Sequence, residues 1–557
     1  MSCAALNPIP LAADFRRTPD VVMRLARMGS AHPTRLSFLR ALLRWMQDER
    51  WAFDRPVWDI DGTGVGRAVY RAMGPHRTYS LVAFAHDLPA SMRSDRVIAT
   101  AWDATFALFD GTPTEADLDR LQRNVPLQEA GRITETELCL SRANRSVRLF
   151  DHVVGRLSEG RQPDLSEIDA VGYLMRTTAV YGSGKFGAAD RAAIADRAEL
   201  RGPFRAEMLS VWLTRAFTVD IVEHLARARG GARTVKLERD LRRRLGVGNA
   251  TGLGMAPFLI RHPVLLNNWM MAREEALARV RAQTGVQPAA EASFRAAHAA
   301  AVRNAALWRS DHPAQIEKLK ALRTDLARIL THVDTVWNRS ARHPWDALWR
   351  WGEETLSLEG QEQLLAMILE PHGEIVDGLA DCMDANEAAH FAIDGAMTLP
   401  ALRAILDTHY DWALQLDFDK SSAQARFWYV SEEKLEPRMG LRNQDKGADQ
   451  ELPLATGRAV VDLLRELKIW TGAEHIAAFL LAHPQHRLTV RRIQIAARHP
   501  FSEVRDNLID AGMLPIDLLR CKLAFFGATR FDPRSDLWVR ICLYQDMPFP
   551  DEMAGAA

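Results

Sequence analysis

The chain has 557 residues, too many for one hydrophobic core, because cores stop growing beyond roughly 250–300 residues. Hydrophobic residues make up 47% and charged residues 25%, ordinary globular values that exclude wholesale disorder. Lys plus Arg and Asp plus Glu each total 71, so the basic excess of a dedicated nucleic-acid binder is missing.

The cysteines, Cys3, Cys139, Cys382, Cys521 and Cys542, are scattered and without CxxC spacing. A structural zinc site is therefore not expected, and thiols of this kind suit a reducing cytoplasm. The N-terminal MSCAALNPIPLAADFRR lacks a basic stretch followed by an apolar one, so it does not read as a secretory signal. No run approaches the ~20 consecutive apolar residues of a spanning helix, which predicts a cytoplasmic protein with no membrane partner.

In chain order, residues 34–50 place Leu36, Phe38, Leu39, Leu42, Leu43 and Met46 at helical spacing, with Thr34 as a candidate N-cap. Residues 57–61 and 67–85 carry β-like runs, with turns at Gly62, Gly64 and Gly66 and at Gly74-Pro75. A helix is expected near 93–109. The Ala-rich stretch 289–309 and the heptad-like stretch 313–337 predict long helices. A helix at 399–413, strands near 415–419 and 425–430, and a helix near 455–470 follow. Residues 440–452 read as an exposed loop, and the final residues as frayed tail.

Three segments of the first third recur in order near the C-terminus, offset by about 350 residues, a spacing that predicts a repeat. Asp59-Ile-Asp61 with Val69-Tyr-Arg71 matches Asp417-Phe-Asp419 with Phe427-Trp-Tyr429. Arg132-Ile-Thr134, leading to Leu138, Leu140, Arg142, Ser146 and Arg148, matches Arg487-Leu-Thr489, leading to Ile493, Ile495, Arg498, Ser502 and Arg505. Ile168-Asp169 before Tyr181-Gly182 and Lys185-Phe186 matches Ile516-Asp517 before Phe526-Gly527 and Arg530-Phe531. The expected fold is mainly α with small antiparallel β-hairpins (α+β), a diverged internal duplication of a helix–hairpin–helix module separated by a long helical insert. The expected divisions are an N-terminal arm (1–33), a first module (34–200), the insert (201–397), a second module (398–545) and a tail (546–557).

The most unusual stretch is Gly246-Val-Gly248-Asn249-Ala-Thr251-Gly252-Leu-Gly254. Four glycines without Cβ atoms let backbone N–H groups approach a ligand, and amides beside a helix N-terminus bind anions. It reads as an anion loop, with Asn249 and Thr251 adding side-chain hydrogen bonds. Asn267 and Asn268 in the apolar helix that follows must bond to something, either the neighbouring backbone or a ligand. Tyr181-Gly-Ser-Gly-Lys185-Phe186 imitates a phosphate loop but lacks its first glycine and its Ser/Thr. Tyr181 has a hydroxyl that the sister copy lacks, and Lys185 would lower its pKa. Arg142, Arg145 and Arg148 offer guanidinium forks for an anion, although Arg498 and Arg505 in the other copy lean them toward a structural role. The paired Asp59 and Asp61 are weakened as an acid/base pair by Asp417 and Asp419, and His86-Asp87 beside them offers a base. Glu387 and His390 form a single ExxH, too few ligands for a di-iron site.

These residues predict an enzyme, independent of metal and of cofactor, acting on a small anionic metabolite (carboxylate, phosphate or sulfonate) by acid/base chemistry. Tyr181, Lys185 and His262 would be catalytic. Gly248, Asn249, Thr251, Gly252, Asn267, Asn268, Arg142 and Arg148 would bind substrate. The reaction type is not readable. One alternative is a non-catalytic scaffold or assembly protein using Trp337, Trp345, Trp349 and Trp351. Another is nucleic-acid binding through Arg242, Arg243 and Arg244 and the arginines Arg142, Arg145 and Arg148, which the neutral charge disfavours. A homo-oligomer is compatible with the sequence.

Overall fold

The computed structural model describes residues 15–92, 101–127, 134–177, 197–251, 259, 262–310, 313–383, 391–417, 429–431, 437–438, 451–453, 456–505, 515–529, 532–535 and 538–553. The chain divides into two compact units, each assembled from distant stretches. A sheet unit comprises Ser37–Thr251, Ala306–Asp311 and Phe526–Ala557; a helical unit comprises Met1–Leu36, Gly252–Ala305 and His312–Phe525.

The sheet unit is built on one nine-stranded mixed sheet. Its strands are β1 (Ala52–Ile60), β2 (Gly66–Met73), β3 (Thr78–Ala85), β4 (Ala104–Asp110), β5 (Glu137–Arg145), β6 (Tyr173–Thr177) and β7 (Gly246–Thr251), followed by β12 (Trp538–Leu543) and β11 (Asp532–Ser535). The pairing is antiparallel throughout except between β6 and β7. The β1–β2 turn is held by the Asp61 carboxylate, which accepts from the Thr63 and Val65 N–H groups and the Thr63 hydroxyl. Gly66 is required there: its φ is +143°, and a Cβ would stand 2.0 Å from the Asp59 carbonyl oxygen.

Four helices matter in this unit: α1 (Phe38–Asp48), α2 (Glu115–Asn124), α3 (Arg205–Gly230) and α4 (Arg239–Arg244). In α1, Phe38, Leu39, Leu42, Leu43 and Met46 are buried as the helical spacing requires, with Ser37 rather than Thr34 at the N-cap. The 26-residue α3 is buried almost all round, and its Phe217 packs edge-on against Tyr70 of β2 and Phe106 of β4. The opposite face of the sheet carries a ladder of directly paired residues, Val69, Val82, Ala107 and Leu140. These pack with Leu118 and Leu121 of α2. A capping box at Thr114 and Asp117 starts that helix.

Within the stretch expected to be a tail, residues 547–552 make contacts with α3 and α4, while residues 554–557 lie outside the described residues. Phe549 is fully buried between the guanidinium groups of Arg215, 3.8 Å from its ring centroid, and Arg242, at 4.0 Å. Arg215 and Trp212 of α3 donate to the carbonyls of Met547 and Pro548. Asp551 pairs with Arg242, and Glu552 with Arg239 and Arg243.

In the helical unit the longest helices are α5 (Pro263–Arg281), α6 (Pro288–Leu307) and α7 (Pro313–Thr335), followed by α8 (Pro344–Thr355) and α9 (Leu358–Leu369). Trp337, Trp345 and Trp349 are core residues here. Farther along, α10 (Leu399–His409), α11 (Thr456–Ile469) and α12 (Arg487–Arg498) enclose a second apolar cluster around Leu402, Leu406, Leu463, Phe479 and Ile493. Short strands β8 (Tyr429–Ser431), β9 (Pro437–Arg438) and β10 (Glu451–Pro453) form a separate three-stranded sheet. Among the described residues no helix is long and apolar enough to cross a membrane.

The expected fold needs correction in two respects. The protein is helix-rich, but its β-structure is an extended sheet, not small hairpins. The apolar run Ala104–Phe109 is strand β4, inside the stretch expected to be helix near 93–109. Buried on both faces, it shows no alternation to distinguish strand from helix. The duplication also fails. Leu138, Leu140 and Arg142 lie on strand β5, whereas their supposed counterparts Ile493, Ile495 and Arg498 lie on helix α12. A true repeat would conserve the backbone that carries its residues, so similar spacing reflected similar composition.

Candidate functional site

Beyond α2, the apolar ladder of the sheet turns polar. Phe84, Thr105 and Arg142 are directly paired across β3, β4 and β5, and Asn144 pairs with Arg176 of β6. Side chains two apart on a strand share a face, and paired residues share it too. Thr105, Arg142, Asn144 and Arg176 therefore continue the Val82–Ala107–Leu140 face. His86, one residue past β3, joins them through its Nε2, 2.9 Å from Thr105 Oγ1.

Main-chain contacts hold this row. The His86 N–H donates to the Asp103 carbonyl, extending the β3–β4 ladder by one residue. Asn144 Oδ1 accepts the Asp103 N–H at 2.9 Å, and its Nδ2 donates to the Ala101 carbonyl at 3.1 Å. The Asp103 carboxylate accepts the Arg145 N–H at 2.9 Å and lies 3.6 Å from Arg145 Nε. The Arg142 guanidinium sits over the Trp102 ring at 4.8 Å. Thr105 and Asn144 are buried; His86 and Arg142 are half-buried. Burial depresses the His86 pKa, with the Asp103 carboxylate pulling weakly the other way, so the imidazole is neutral at pH 7.

The residues expected from sequence are divided between the two units. Arg142, Arg148, Gly248, Asn249 and Thr251 belong to the sheet unit, and His262, Asn267 and Asn268 to the helical unit. Tyr181, Lys185 and Gly252 lie outside the described residues, as do Glu387 and His390. The glycine-rich segment is not an anion loop over the part described, because Gly246–Thr251 is strand β7, paired with β6 on one side and β12 on the other. Its glycines answer to packing. A Cβ on Gly248 would stand 2.5 Å from the Tyr173 ring, and one on Gly246 would stand 2.4 Å from the Leu543 carbonyl oxygen. Asn249 is fully buried and donates from Nδ2 to the Thr177 carbonyl at 3.0 Å.

In α5, Asn267 Oδ1 accepts the Phe501 N–H at 3.0 Å, and its Nδ2 donates to Asn268 Oδ1. Asn267 therefore bonds to backbone and to its neighbour Asn268. His262 stands at the N-cap position of the same helix. Asp61 holds its turn, and Asp59 is 3.9 Å from Arg67.

The residues supporting the alternative functions are also occupied. Arg242 and Arg243 are paired with the C-terminal acids, and Arg244 lies 3.9 Å from Asp169. The buried tryptophans offer no exposed patch, although Trp351 stacks on His332 at 3.9 Å. Among the described residues no group of three or more His, Cys, Asp or Glu side chains is placed to hold a metal ion.

Sequence reasoning missed Thr105, Asn144 and Arg176 as partners. They come together only through strand register, which no local spacing reports. Comparison with known protein families, with curated proteins and with solved structures finds no match.

Proposed function

We propose that the sheet unit binds a small anionic molecule, a carboxylate, phosphate or sulfonate, along the polar row and acts on it by acid/base chemistry. The observation that carries this reading is the placement of Arg142 and Arg176 on one sheet face beside the hydrogen-bonded His86 and Thr105. Guanidinium groups recognise oxyanions by bidentate hydrogen bonds, and neighbouring aromatic and apolar surface strengthens the attraction. A neutral, half-buried imidazole is suited to accept a proton at physiological pH. In this reading His86 takes the proton-handling role that the sequence suggested for His262. The scattered, odd number of cysteines supports a reducing, cytoplasmic setting.

The test is a thermal-shift and calorimetric titration with phosphate, succinate and ethanesulfonate, repeated on Arg142→Gln and Arg176→Gln. A ligand at a hundredfold excess over its Kd stabilises by about 2.7 kcal/mol, enough to read as a shifted transition. The wild type should respond to at least one anion, and both variants should lose the response while keeping cooperative unfolding. No response to any of the three defeats the reading.

A further inference from the structure

Resting on the anion-binding reading, we propose that Thr105 is a nucleophile, with His86 as its base, and that the substrate is an ester whose acyl part carries the anionic group. The arrangement has the pairing from which nucleophilic catalysis by a hydroxyl starts. The hydroxyl is within hydrogen-bonding reach of an imidazole nitrogen, at 2.9 Å, and the backbone that carries the imidazole is held by the His86 N–H donating to the Asp103 carbonyl. An ordinary threonine hydroxyl is a poor nucleophile until a base removes its proton. A neutral His86 with its proton on Nδ1 presents Nε2 as that base.

Charge is disposed accordingly. Arg142 is the direct cross-strand neighbour of Thr105, with Cβ atoms of such pairs about 4.5–5.5 Å apart. Arg176, one strand farther on and on the same face, would receive the distal anionic group. A substrate aligned along the row puts its anionic end at Arg176 and its carbonyl at Thr105.

The chemistry closes without redox change. Thr105 Oγ attacks the ester carbonyl carbon as its proton passes to His86 Nε2. The tetrahedral oxyanion collapses, the bond to the alcohol oxygen breaks, and the leaving alkoxide takes that proton. A water molecule then adds to the acyl-threonine, giving its proton to Nε2. The bond to Oγ breaks and Thr105 regains its proton. Ester and water become carboxylic acid and alcohol.

The experiment uses the full chain and 4-nitrophenyl hemisuccinate, with nitrophenolate release followed in rapid mixing and peptide mapping by mass spectrometry after acid quench. The wild type should give a burst and a succinyl group on Thr105. Thr105→Ser should retain both, whereas Thr105→Val should lose the burst and His86→Gln should slow it about a hundredfold or more. Thermal unfolding and succinate binding are measured on every variant, so a folding defect is seen separately. Succinate binding without a burst or adduct overturns the nucleophile and leaves the anion site standing. An adduct on another residue, or turnover surviving in Thr105→Val, overturns it equally. Failure of succinate, phosphate and ethanesulfonate to bind removes the reading on which the proposal rests.

Discussion

Arg17 Nε donates to Glu274 Oε2 at 2.8 Å, and both side chains are buried in the helical unit. The same guanidinium donates to Glu362 Oε1 at 2.8 Å, and Arg273 donates to Glu274 from two nitrogens. Arg27, 3.5 Å from Glu362, adds a third guanidinium around the two buried carboxylates. The segment before Pro19 is tied in this way to α5 and α9.

Truncating Arg17 removes a guanidinium that hydrogen-bonds both buried carboxylates, Glu274 and Glu362, and leaves oxygens of each without that partner. Breaking a buried ion pair from one side costs about 3–5 kcal/mol, mostly the desolvation of the abandoned partner. Arg17→Ala should lower the stability of the helical unit by that amount in urea unfolding followed by circular dichroism. A loss under about 1 kcal/mol would mean the arm is not anchored as described.

Acid should weaken the same unit over a defined range. Burial by itself would raise the Glu274 pKa, but Arg17 and Arg273 outweigh it and hold the carboxyl down to about 2. Glu291 is likewise held at about 2, by hydrogen bonds from Arg339 first and then Arg295. A carboxyl whose folded pKa is depressed adds stability above its unfolded pKa and loses it as pH falls toward the folded value. These two carboxyls should therefore contribute fully above about pH 5 and lose their contribution between about pH 4.5 and 2. That range is separate from, and lower than, the one in which His332, His372, His409 and His486, held neutral by burial, weaken the unit as they are forced to charge. Unfolding titrations at pH 6, 4, 3 and 2 check this, and Arg17→Ala should show a shallower fall.

Gly248→Ala separates packing from ligand approach. A methyl group there would enter the Tyr173 ring, so a cost of about 1–3 kcal/mol is expected without any ligand present. Tyr173→Leu combined with Gly248→Ala should recover part of that loss in thermal unfolding. If Gly248→Ala leaves stability unchanged, the glycine is not a packing residue.

Phe549→Ala should destabilise the sheet unit. The ring is fully buried between Arg215 and Arg242, and removing a buried Phe costs about 3–5 kcal/mol. Phe549→Leu, which keeps apolar volume but loses the ring quadrupole, should cost clearly less. Equal losses for the two variants would place the stabilisation in cation–π attraction and not in packing.

The sequence by itself determined the elements whose residues interact within a few turns. The Ala-rich stretch predicted as 289–309 is α6, Pro288–Leu307, and the heptad-like 313–337 is α7, Pro313–Thr335. The turns at Gly66 and Gly74 also sit where glycine placed them, because backbone conformation at a turn is a local property. Tertiary structure decided the rest. Val247 pairs with Leu543, and the β7–β12 ladder this belongs to turned a supposed loop into an interior strand. The polar row exists only because β4, β5 and β6 align Thr105 with Arg142 and Asn144 with Arg176. A shift of one residue in that register would send each of these side chains to the other face. Helical periodicity is written in neighbouring residues, but strand pairing is a choice among distant ones, made when the whole core is buried together.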